Sequence, residues 1–192
     1  MPEPTDLRTR RHHETRDAIL DAAITMFERH GFTEVTMEQI AAAASVSRRT
    51  AYRRFRSKDD ILLELPRRWL GAFDEFVAEH RELPVVELIE GACLAVSAYI
   101  DAHRHETLVG IEALAAAPGL NSTSVAHDDW HRRIEGLLVD AGVDAVDAAL
   151  LAGAGLGGID AMLAVWAAQG GDVSLVDLNR RLNERLRPMW PR

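Results

Sequence analysis

The stretch that most constrains the fold lies between residues 31 and 65, where two short helical signals are joined by a tight turn. Thr36 begins the first signal, because its hydroxyl can accept a hydrogen bond from a backbone amide that has no partner at a helix start. Ser47 has the same position ahead of a second helix, predicted over residues 48–55, and Ser57 ahead of a third. Two short helices joined by a turn are the layout of a helix-turn-helix motif.

The second helix of this motif is strongly basic. Six positive charges and no negative charge fall between Ser47 and Lys58, which gives a local charge of +6: Arg48, Arg49, Arg53, Arg54, Arg56 and Lys58. A helix face that meets only solvent normally mixes charges of both signs at four-residue spacing. Arginine and lysine neutralise phosphates, and arginine also binds guanine edges in the major groove. The run therefore favours a nucleic-acid interface over a solvated surface.

The chain as a whole is acidic, with a net charge of −8, but its charges are unevenly distributed. Residues 1–60 hold 11 basic and 10 acidic residues, a balance of +1, whereas residues 61–192 hold 11 and 20, a balance of −9. Charges more than about 10 Å from a duplex are largely screened at physiological salt. An acidic C-terminal part is therefore compatible with DNA binding by the basic helix.

Over residues 11–65 the sequence resembles the DNA-binding domain of tetracycline-repressor-like (TetR/AcrR) transcription regulators. The matching residues, in chain order, are Ile19, Leu20, Ala22, Ala23, Phe27, Gly31, Phe32, Thr36, Ile40, Ala41, Val46, Ser47, Thr50, Tyr52, Phe55, Ser57, Lys58 and Leu62. One residue departs from the pattern, since the turn usually carries glycine where this chain has Ser45. If that position needs a positive φ, serine costs about 1 kcal/mol there.

The resemblance implies an all-α protein with an N-terminal three-helix helix-turn-helix domain and a C-terminal helical domain for ligand binding and dimerisation. Such a protein is a homodimer that binds a double-stranded DNA operator and a small-molecule effector, most often as a repressor. We expect a flexible basic arm over residues 1–11, the DNA-binding domain over residues 12–60 and the C-terminal domain over residues 61–192.

Seven residues are expected to contact DNA: Thr36, Arg48, Arg49, Thr50, Tyr52, Arg53 and Lys58. Arg48 and Arg49 open the recognition helix, where side chains reach base edges. The resemblance implies phosphate contacts for Thr50, Tyr52 and Lys58. Thr36 can also contact phosphate, from the N-terminus of its helix.

The hydrophobic pattern predicts about nine helices and no convincing strand. The first runs over residues 14–30 and ends at Gly31, and a longer one, over residues 58–80, contains Pro66 and is expected to bend there. Further helices are predicted over residues 85–104, 106–116, 122–141 and 144–169, and Ser174 caps a last helix that Pro188 ends.

The helix over residues 144–169 is apolar nearly all round and contains Gly153, Gly155, Gly157 and Gly158. Each glycine costs up to about 1 kcal/mol in a helix, so we expect another helix to approach closely. With the leucine stripe of the last helix it forms the predicted dimer interface: Gly153, Leu156, Gly157, Leu175, Leu178 and Leu182.

Large aromatic residues recur in the C-terminal part, and by themselves they favour a plain core. The resemblance instead favours a cavity for a small, largely apolar effector that would push the long helix containing Pro66. The expected ligand-binding residues, with the polar ones that would orient the effector, are Trp69, Phe73, Phe76, Tyr99, His103, Glu112, Trp130, Asp160 and Trp166.

Other chemistry finds little support in the sequence. There is no glycine-rich phosphate loop after a strand, no nucleophile elbow and no recognisable carboxylate pair, so we expect no enzyme and no cofactor. His127 and His131 share a helix face but have no identifiable third ligand, so no metal site is expected. Cys93, the single cysteine, excludes an internal disulfide; it fits a small buried hydrophobe better than a redox sensor.

No secretory signal is visible, and the longest apolar run, residues 148–158, is short for a membrane span. We therefore expect a cytoplasmic protein with no membrane partner. The leading hypothesis is a ligand-responsive transcription regulator. The alternative is an all-helical protein-binding module whose basic helix docks an acidic partner, and a gel-shift experiment on DNA from upstream of the gene separates the two.

Overall fold

The computed structural model describes residues 4–117 and 122–190, and the secondary structure of these residues is entirely helical. Ten α-helices are followed by a short 3-10 turn at Arg187–Met189. In chain order they are α1 (Pro4–His30), α2 (Met37–Ala43), α3 (Arg48–Arg54), α4 (Lys58–Leu62), α5 (Glu64–Glu79), α6 (Val85–Ala102), α7 (Arg104–Ala116), α8 (Ser122–Asp140), α9 (Ala145–Ala168) and α10 (Leu175–Leu186). The all-α prediction is confirmed, with one helix more than the nine expected.

The chain divides into two compact units. The first comprises Met1–Leu65 with Val109–Leu120, and the second comprises Pro66–Leu108 with Asn121–Arg192. The first unit thus contains the helix-turn-helix region and also the C-terminal part of α7. The sequence pattern alone assigns that part of α7 to the C-terminal domain.

Helix α1 begins at Pro4, ten residues before the predicted start at Glu14. The flexible arm expected over residues 1–11 is therefore helical from Pro4, and residues 1–3 lie outside the described part. Proline at the first helical position is favourable, because the amide it lacks would have no helical partner there. The apolar side of α1 is buried as expected, through Ile19, Leu20 and Phe27.

The three predicted helix starts around the motif are all confirmed. Thr36 forms a capping box with Gln39: its hydroxyl accepts the Gln39 amide at 3.3 Å, and the Gln39 side chain accepts the Thr36 amide at 2.8 Å. Ser47 caps α3 and Ser57 caps α4 by accepting the amides of the residues three positions later. These caps stabilise the N-termini of both helices of the motif. Such stabilisation matters because each helix has only seven residues.

The turn between α2 and α3 has the backbone conformation that favours glycine. Ser45 has a φ of 55°, as the departure from the family pattern predicted. The Val46 amide donates to the Ala41 carbonyl at 2.9 Å, and the Ser45 amide donates to Ala42 at 3.1 Å. This pair of hydrogen bonds is a Schellman motif, which normally places glycine at the left-handed residue.

The single helix expected over residues 58–80 is two helices, because α4 ends at Leu62 and α5 starts at Glu64. Pro66 lies in the first turn of α5, where backbone amides have no helical partner. The predicted bend at Pro66 was therefore wrong, and the interruption lies three residues earlier, at Leu63.

In the second unit, α10 is tied to α6 by buried polar groups. Asn179, which is 1% exposed, donates to the Cys93 carbonyl at 3.0 Å and to Ser97 Oγ at 2.8 Å. The Asp101 carboxylate accepts the amides of Leu175 and Val176 at the start of α10. A carboxylate at a helix N-terminus is favourable because it satisfies free amides and faces the positive end of the helix dipole.

The glycines of α9 confirm a close helix approach at one position. A Cβ at Gly158 would lie 2.8 Å from Leu182 Cδ1, so a side chain there would have to displace the end of the Leu182 side chain on α10. Gly157, by contrast, is exposed, and a Cβ added to it would have no atom of the protomer within 4 Å. The two adjacent glycines therefore face different surroundings.

Helix α9 is also long and apolar enough, by length and composition, to cross a bilayer. The expectation from sequence considered only residues 148–158, whereas the helix extends over 24 residues. Just 28% of its most apolar window is buried within the protomer, so much of this apolar surface is uncovered in a single chain.

Candidate functional site

Helix α3 presents its basic face outward because its apolar residues fill the core of the first unit. Ala51 and Phe55 are fully buried, which turns Arg48, Arg49 and Arg53 toward solvent. Ser47 Oγ accepts the Thr50 amide at 3.1 Å and lies 2.8 Å from Thr50 Oγ1. The predicted recognition helix is thus capped and anchored, and the basic residues at its start are exposed.

Arg49 and Arg53 are available for a ligand. Both are exposed, and among the residues whose side chains the structure describes neither has an ion pair. Burial, followed by the neighbouring charges of Arg53 and Arg16, lowers the pKa of Arg54 below its ordinary value. The like charges of Arg53 and Arg16 disfavour the charged form of Arg54.

An acid from the neighbouring helix contacts the basic face, contrary to the expectation that nothing neutralises it. Glu38 Oε1 lies 2.9 Å from Arg48 Nε and accepts a hydrogen bond from the Tyr52 hydroxyl at 3.3 Å. The Arg48 guanidinium also lies 5.5 Å from the centre of the Tyr52 ring. Arg48 and Tyr52 are therefore held by one carboxylate oxygen.

Lys58 has a different environment from the one predicted. Its ammonium donates to the carbonyl oxygens of Phe32, Thr33 and Val35 at 2.6, 3.1 and 3.1 Å, and lies 4.3 Å from the centre of the Phe32 ring. An ammonium has three N–H donors, so all of them are used. In this structure Lys58 holds the loop between α1 and α2 instead of extending toward a phosphate.

The two threonines of the predicted site also have intramolecular partners. Besides capping α2, the Thr36 hydroxyl donates to Gln39 Oε1 at 3.0 Å, while the Thr50 hydroxyl is bonded to Ser47. Thr36 is exposed at the start of α2, where free amides and the helix dipole favour an anion.

Arg16 on α1 supports the recognition helix, a role that the sequence did not indicate. Its guanidinium donates to the Arg54 carbonyl in the last turn of α3 at 3.2 Å, pairs with Glu64 and lies 4.5 Å from the centre of the Phe55 ring. A cation at a helix C-terminus is favourable because it satisfies a free carbonyl. The only sign of this role in the sequence is the position of Arg16, a basic residue just before the apolar stripe of α1.

These features define the first unit as a helix-turn-helix domain with an exposed basic recognition helix. A sequence model of a family described as bacterial regulatory proteins, tetR family, matches residues 19–65, which extend from within α1 to the start of α5. Over these residues the chain is similar to that family of regulatory proteins.

Two curated regulators are similar to short stretches of the chain. The regulator MftR of Mycobacterium tuberculosis is 46% identical over 52 residues, which are 27% of this chain and 26% of that protein. The transcriptional regulator TcmR of Streptomyces glaucescens is 39% identical over 62 residues, 32% of this chain and 27% of that protein. The chain thus matches about a quarter of the length of these curated relatives.

Solved structures extend the likeness of fold over nearly the whole chain. The transcriptional regulator FadR of Bacillus subtilis, solved in complex with stearoyl-CoA, has a TM-score of 0.71 and 18% identity. The match covers 91% of this chain and 98% of that one. At this identity the likeness concerns the fold alone.

The structure gives partners for several of the residues predicted to bind the effector. Phe73 contacts Trp130 edge-to-face with ring centres 5.3 Å apart, whereas Phe76 and Tyr99 each stack on a histidine of the same helix or its end, at 4.1 Å. Trp69 is buried, and Trp166 is buried with its Nε1 donating to the Val173 carbonyl. His103 and Asp160 are exposed, and Asp160 lies near His127. Glu112 belongs to the first unit.

A cavity in the second unit lies elsewhere, among α6, α8, α9 and α10. Its volume, about 20 Å³, is enough for one water molecule, and its lining is Ile89, Glu90, Cys93, Ile134, Gly155, Ile159, Leu182, Asn183, Leu186 and Trp190. Glu90 is 8% exposed and pairs with Arg187, and the Trp190 indole N–H is buried without a partner among the described residues. Arg187 and Trp190 belong to the C-terminal segment, so this segment covers the cavity.

Two residues of the predicted dimer interface are inside the protomer. Leu156 and Leu175 are 3% and 1% exposed, so they have no surface to offer a second copy. Leu178 and Leu182 are half-buried, and Gly153 and Gly157 are exposed. An exposed apolar stripe follows α9 at helical spacing: Val146, Leu150, Gly153, Gly157, Ala161 and Ala164.

Cys93 is buried, as predicted. Burial, followed by the nearby Glu90 charge, raises the pKa of its thiol to about 12. Within the described residues no group of three potential ligands could hold a metal ion, and His131 instead lies near Glu135 and the Ala149 carbonyl.

Proposed function

We propose that this protein is a cytoplasmic, homodimeric regulator of transcription that binds a double-stranded DNA operator and acts as a repressor. The observation that carries the proposal is the exposed arginine face of α3, on a helix anchored by Ser47 and by two fully buried residues. Arg49 and Arg53 have no ion pair to break within the described residues before they meet DNA. Arginines at the start of such a helix can bind guanine edges.

The proposed dimer uses the exposed stripe of α9, continued by the half-buried leucines of α10. A long apolar helix with an exposed apolar stripe needs a partner, and a second copy supplies an identical stripe about a two-fold axis. Small residues at Gly153, Gly157, Ala161 and Ala164 allow two α9 helices to approach closely. A two-fold arrangement would place two recognition helices on successive major-groove faces, about 34–36 Å apart or a little more.

The proposed effector is small and largely apolar, and the cavity behind the C-terminal segment is the place where we propose that it binds. The lining is mostly aliphatic, with Glu90, Asn183 and the Trp190 indole as polar groups. At its present volume the cavity admits only a water molecule, so an effector would have to displace Trp190 and Arg187. The stearoyl-CoA in the B. subtilis FadR structure makes acyl-CoA thioesters a sensible first class of probe, because their acyl chain supplies the apolar part.

The DNA proposal is tested by fluorescence anisotropy with the purified full chain. One duplex carries the region upstream of the gene, and a second has the same bases in scrambled order. We expect the upstream duplex to bind about 10³-fold or more tighter, with affinities for both falling as salt rises. Equal affinity for the two duplexes would contradict sequence-specific regulation. If no DNA binds but an acidic protein does, the protein-binding alternative is correct.

The effector proposal is tested on the same complex by titration with stearoyl-CoA and shorter thioesters. A ligand that releases the operator by some factor must bind the DNA-complexed protein more weakly by that factor. Binding at the proposed place should change the fluorescence of Trp190, and a Trp190→Phe variant should lose that change. If thioesters release DNA with the Trp190 signal unaltered, the effector binds elsewhere.

A further inference from the structure

The contact between Glu38 and two residues of the recognition helix has a consequence for specificity, provided that the proposed DNA-binding function holds. We propose that Glu38 is a positioning residue. It would orient Arg48 for a base contact and at the same time lower the affinity of the domain for phosphates of any sequence. No base contact by Glu38 itself is required.

The geometry supports the orienting role. The closest contact of Glu38 Oε1 with Arg48 is to Nε, at 2.9 Å, on the side of the guanidinium away from its terminal fork. The two nitrogens of that fork bind guanine O6 and N7. The Tyr52 hydroxyl donates to the same oxygen, and its ring lies beneath the guanidinium. Glu38 and the Tyr52 ring thus contact the Arg48 guanidinium at its Nε and its planar face.

The charges support the second role. Arg48 is 70% exposed and Glu38 is 45% exposed, so the carboxylate lies on the surface that would face the duplex. A negative charge there repels DNA phosphates and lowers the affinity for every sequence equally. Hydrogen bonds from Arg48 to guanine restore affinity only where the correct base is present. The pair therefore lowers non-specific binding more than specific binding.

A purely structural role for Glu38 is the competing explanation. Glu38 lies in the first turn of α2, where an acid is favourable because of the helix dipole. Such a role would change the stability of the domain but leave the ratio of specific to non-specific affinity unaltered. The readout must therefore be this ratio.

The experiment uses an operator selected from a randomised duplex library with the wild-type protein, and a scrambled duplex as reference. Three variants are compared: Glu38→Ala, Glu38→Gln and Glu34→Gln. Glu34 is an exposed acid in the same unit, so its variant controls for the loss of one charge. Circular dichroism and hydrogen exchange of α2 check that each variant is folded.

Glu38→Ala should lower the specificity ratio about fivefold to a hundredfold, the range of one bidentate arginine–guanine contact. Glu38→Gln keeps an oxygen acceptor for Arg48, so both affinities should rise by a common factor and the ratio should stay within about threefold of wild type. The salt dependence for scrambled DNA should steepen by up to about one unit in the log–log slope. Glu34→Gln should leave the ratio unchanged.

The double variant Glu38→Ala/Arg48→Ala decides whether Glu38 acts through Arg48. We expect its specificity ratio to equal that of Arg48→Ala alone. A further loss of the full Glu38→Ala factor would mean that Glu38 contacts a base directly, which overturns the positioning role. If the wild-type protein selects an operator and Glu38→Ala keeps the full ratio of specific to non-specific affinity, the positioning role is wrong but the proposed DNA-binding function stands. If wild type selects no operator, the proposed function itself fails.

Discussion

The Lys58 ammonium lies 2.6 Å from the carbonyl oxygen of Phe32 and 4.3 Å from the centre of that residue's ring. With the carbonyls of Thr33 and Val35, it closes the loop that leads into α2. Lys58→Met should therefore destabilise the first unit by about 1–3 kcal/mol, because charged hydrogen bonds are lost and part-buried acceptors lose their donor.

Hydrogen exchange of peptides from residues 31–62 measures this effect directly. Tryptophan fluorescence would not, since the four tryptophans are at positions 69, 130, 166 and 190, all in the second unit. As a control, Arg56→Met removes a nearby exposed charge and should leave exchange nearly unchanged. If Lys58→Met preserves protection yet weakens binding to all DNA sequences alike with a shallower salt slope, Lys58 contacts phosphate as the resemblance implied.

The left-handed backbone of Ser45 gives a second stability prediction. Ser45→Gly removes the Cβ strain at a φ of 55° but adds freedom to the unfolded chain, so a gain between zero and about 1 kcal/mol is expected. Ser45→Val should instead lose more than about 1 kcal/mol, because a β-branched residue fits this region poorly. Ser45→Ala keeps the strain and should not stabilise. Hydrogen exchange of α2 and α3 amides ranks the three, and a stabilising Ser45→Val would contradict the strain argument.

Much of the first unit was predictable because its signals are local. The three caps depend on a hydroxyl and an amide three residues apart, and the φ of Ser45 depends on a turn of a few residues. The partners of Glu38 and Lys58 were not predictable in this way. Each reaches a residue 10 to 26 positions away, so the contact depends on how two helices cross.

The second unit shows the same limit more strongly. The aromatic residues Phe73 and Trp166 by themselves favoured a plain core, and both are buried, but the sequence could not show which neighbour each would meet. Phe73 meets Trp130, whereas Trp166 bonds the Val173 carbonyl just beyond its own helix. An apolar stripe also cannot distinguish burial inside one chain from burial between two. That is why the sequence pattern assigns Leu156 and Leu175 to the dimer interface.

Arg49 gives the most direct test of base contacts. Arg49→Ala should weaken operator binding by about 1–3 kcal/mol and relax the preference at one base position, since no intramolecular ion pair within the described residues is lost with it. Arg81→Ala, an exposed arginine in the loop after α5, is the matched control and should bind normally. Both are measured against a library of single-base operator variants. Wild-type affinity across that library for Arg49→Ala would remove Arg49 from the interface.

The buried thiol of Cys93 predicts a large reactivity difference between folded and unfolded protein. Its pKa is raised to about 12, against about 8.5 in an unfolded chain, so at pH 8 the folded thiolate is on the order of a thousandfold scarcer. Iodoacetamide labelling should therefore be at least that much slower without urea. The fold favours the neutral thiol, so this contribution to stability is present below about pH 8.5 and is lost as the pH rises above it. Rapid labelling of the folded protein at pH 8 would show an accessible thiol.

Substitutions at the two adjacent glycines of α9 distinguish an effect on dimerisation from an effect on folding. Gly157 is exposed and no atom of the protomer lies within 4 Å of where its Cβ would be, so Gly157→Leu fits a single chain and should clash only with a second copy. We expect a folded monomer by sedimentation, with much weaker binding to a two-half-site operator. Gly71→Leu is the control, since Gly71 is also exposed and a Cβ there would have no atom within 4 Å, and this variant should stay dimeric.

Gly158→Leu should instead lower stability, because its Cβ would lie 2.8 Å from Leu182 within the protomer. If Gly157→Leu sediments as a dimer that still binds the operator, the two-fold interface does not include this face of α9.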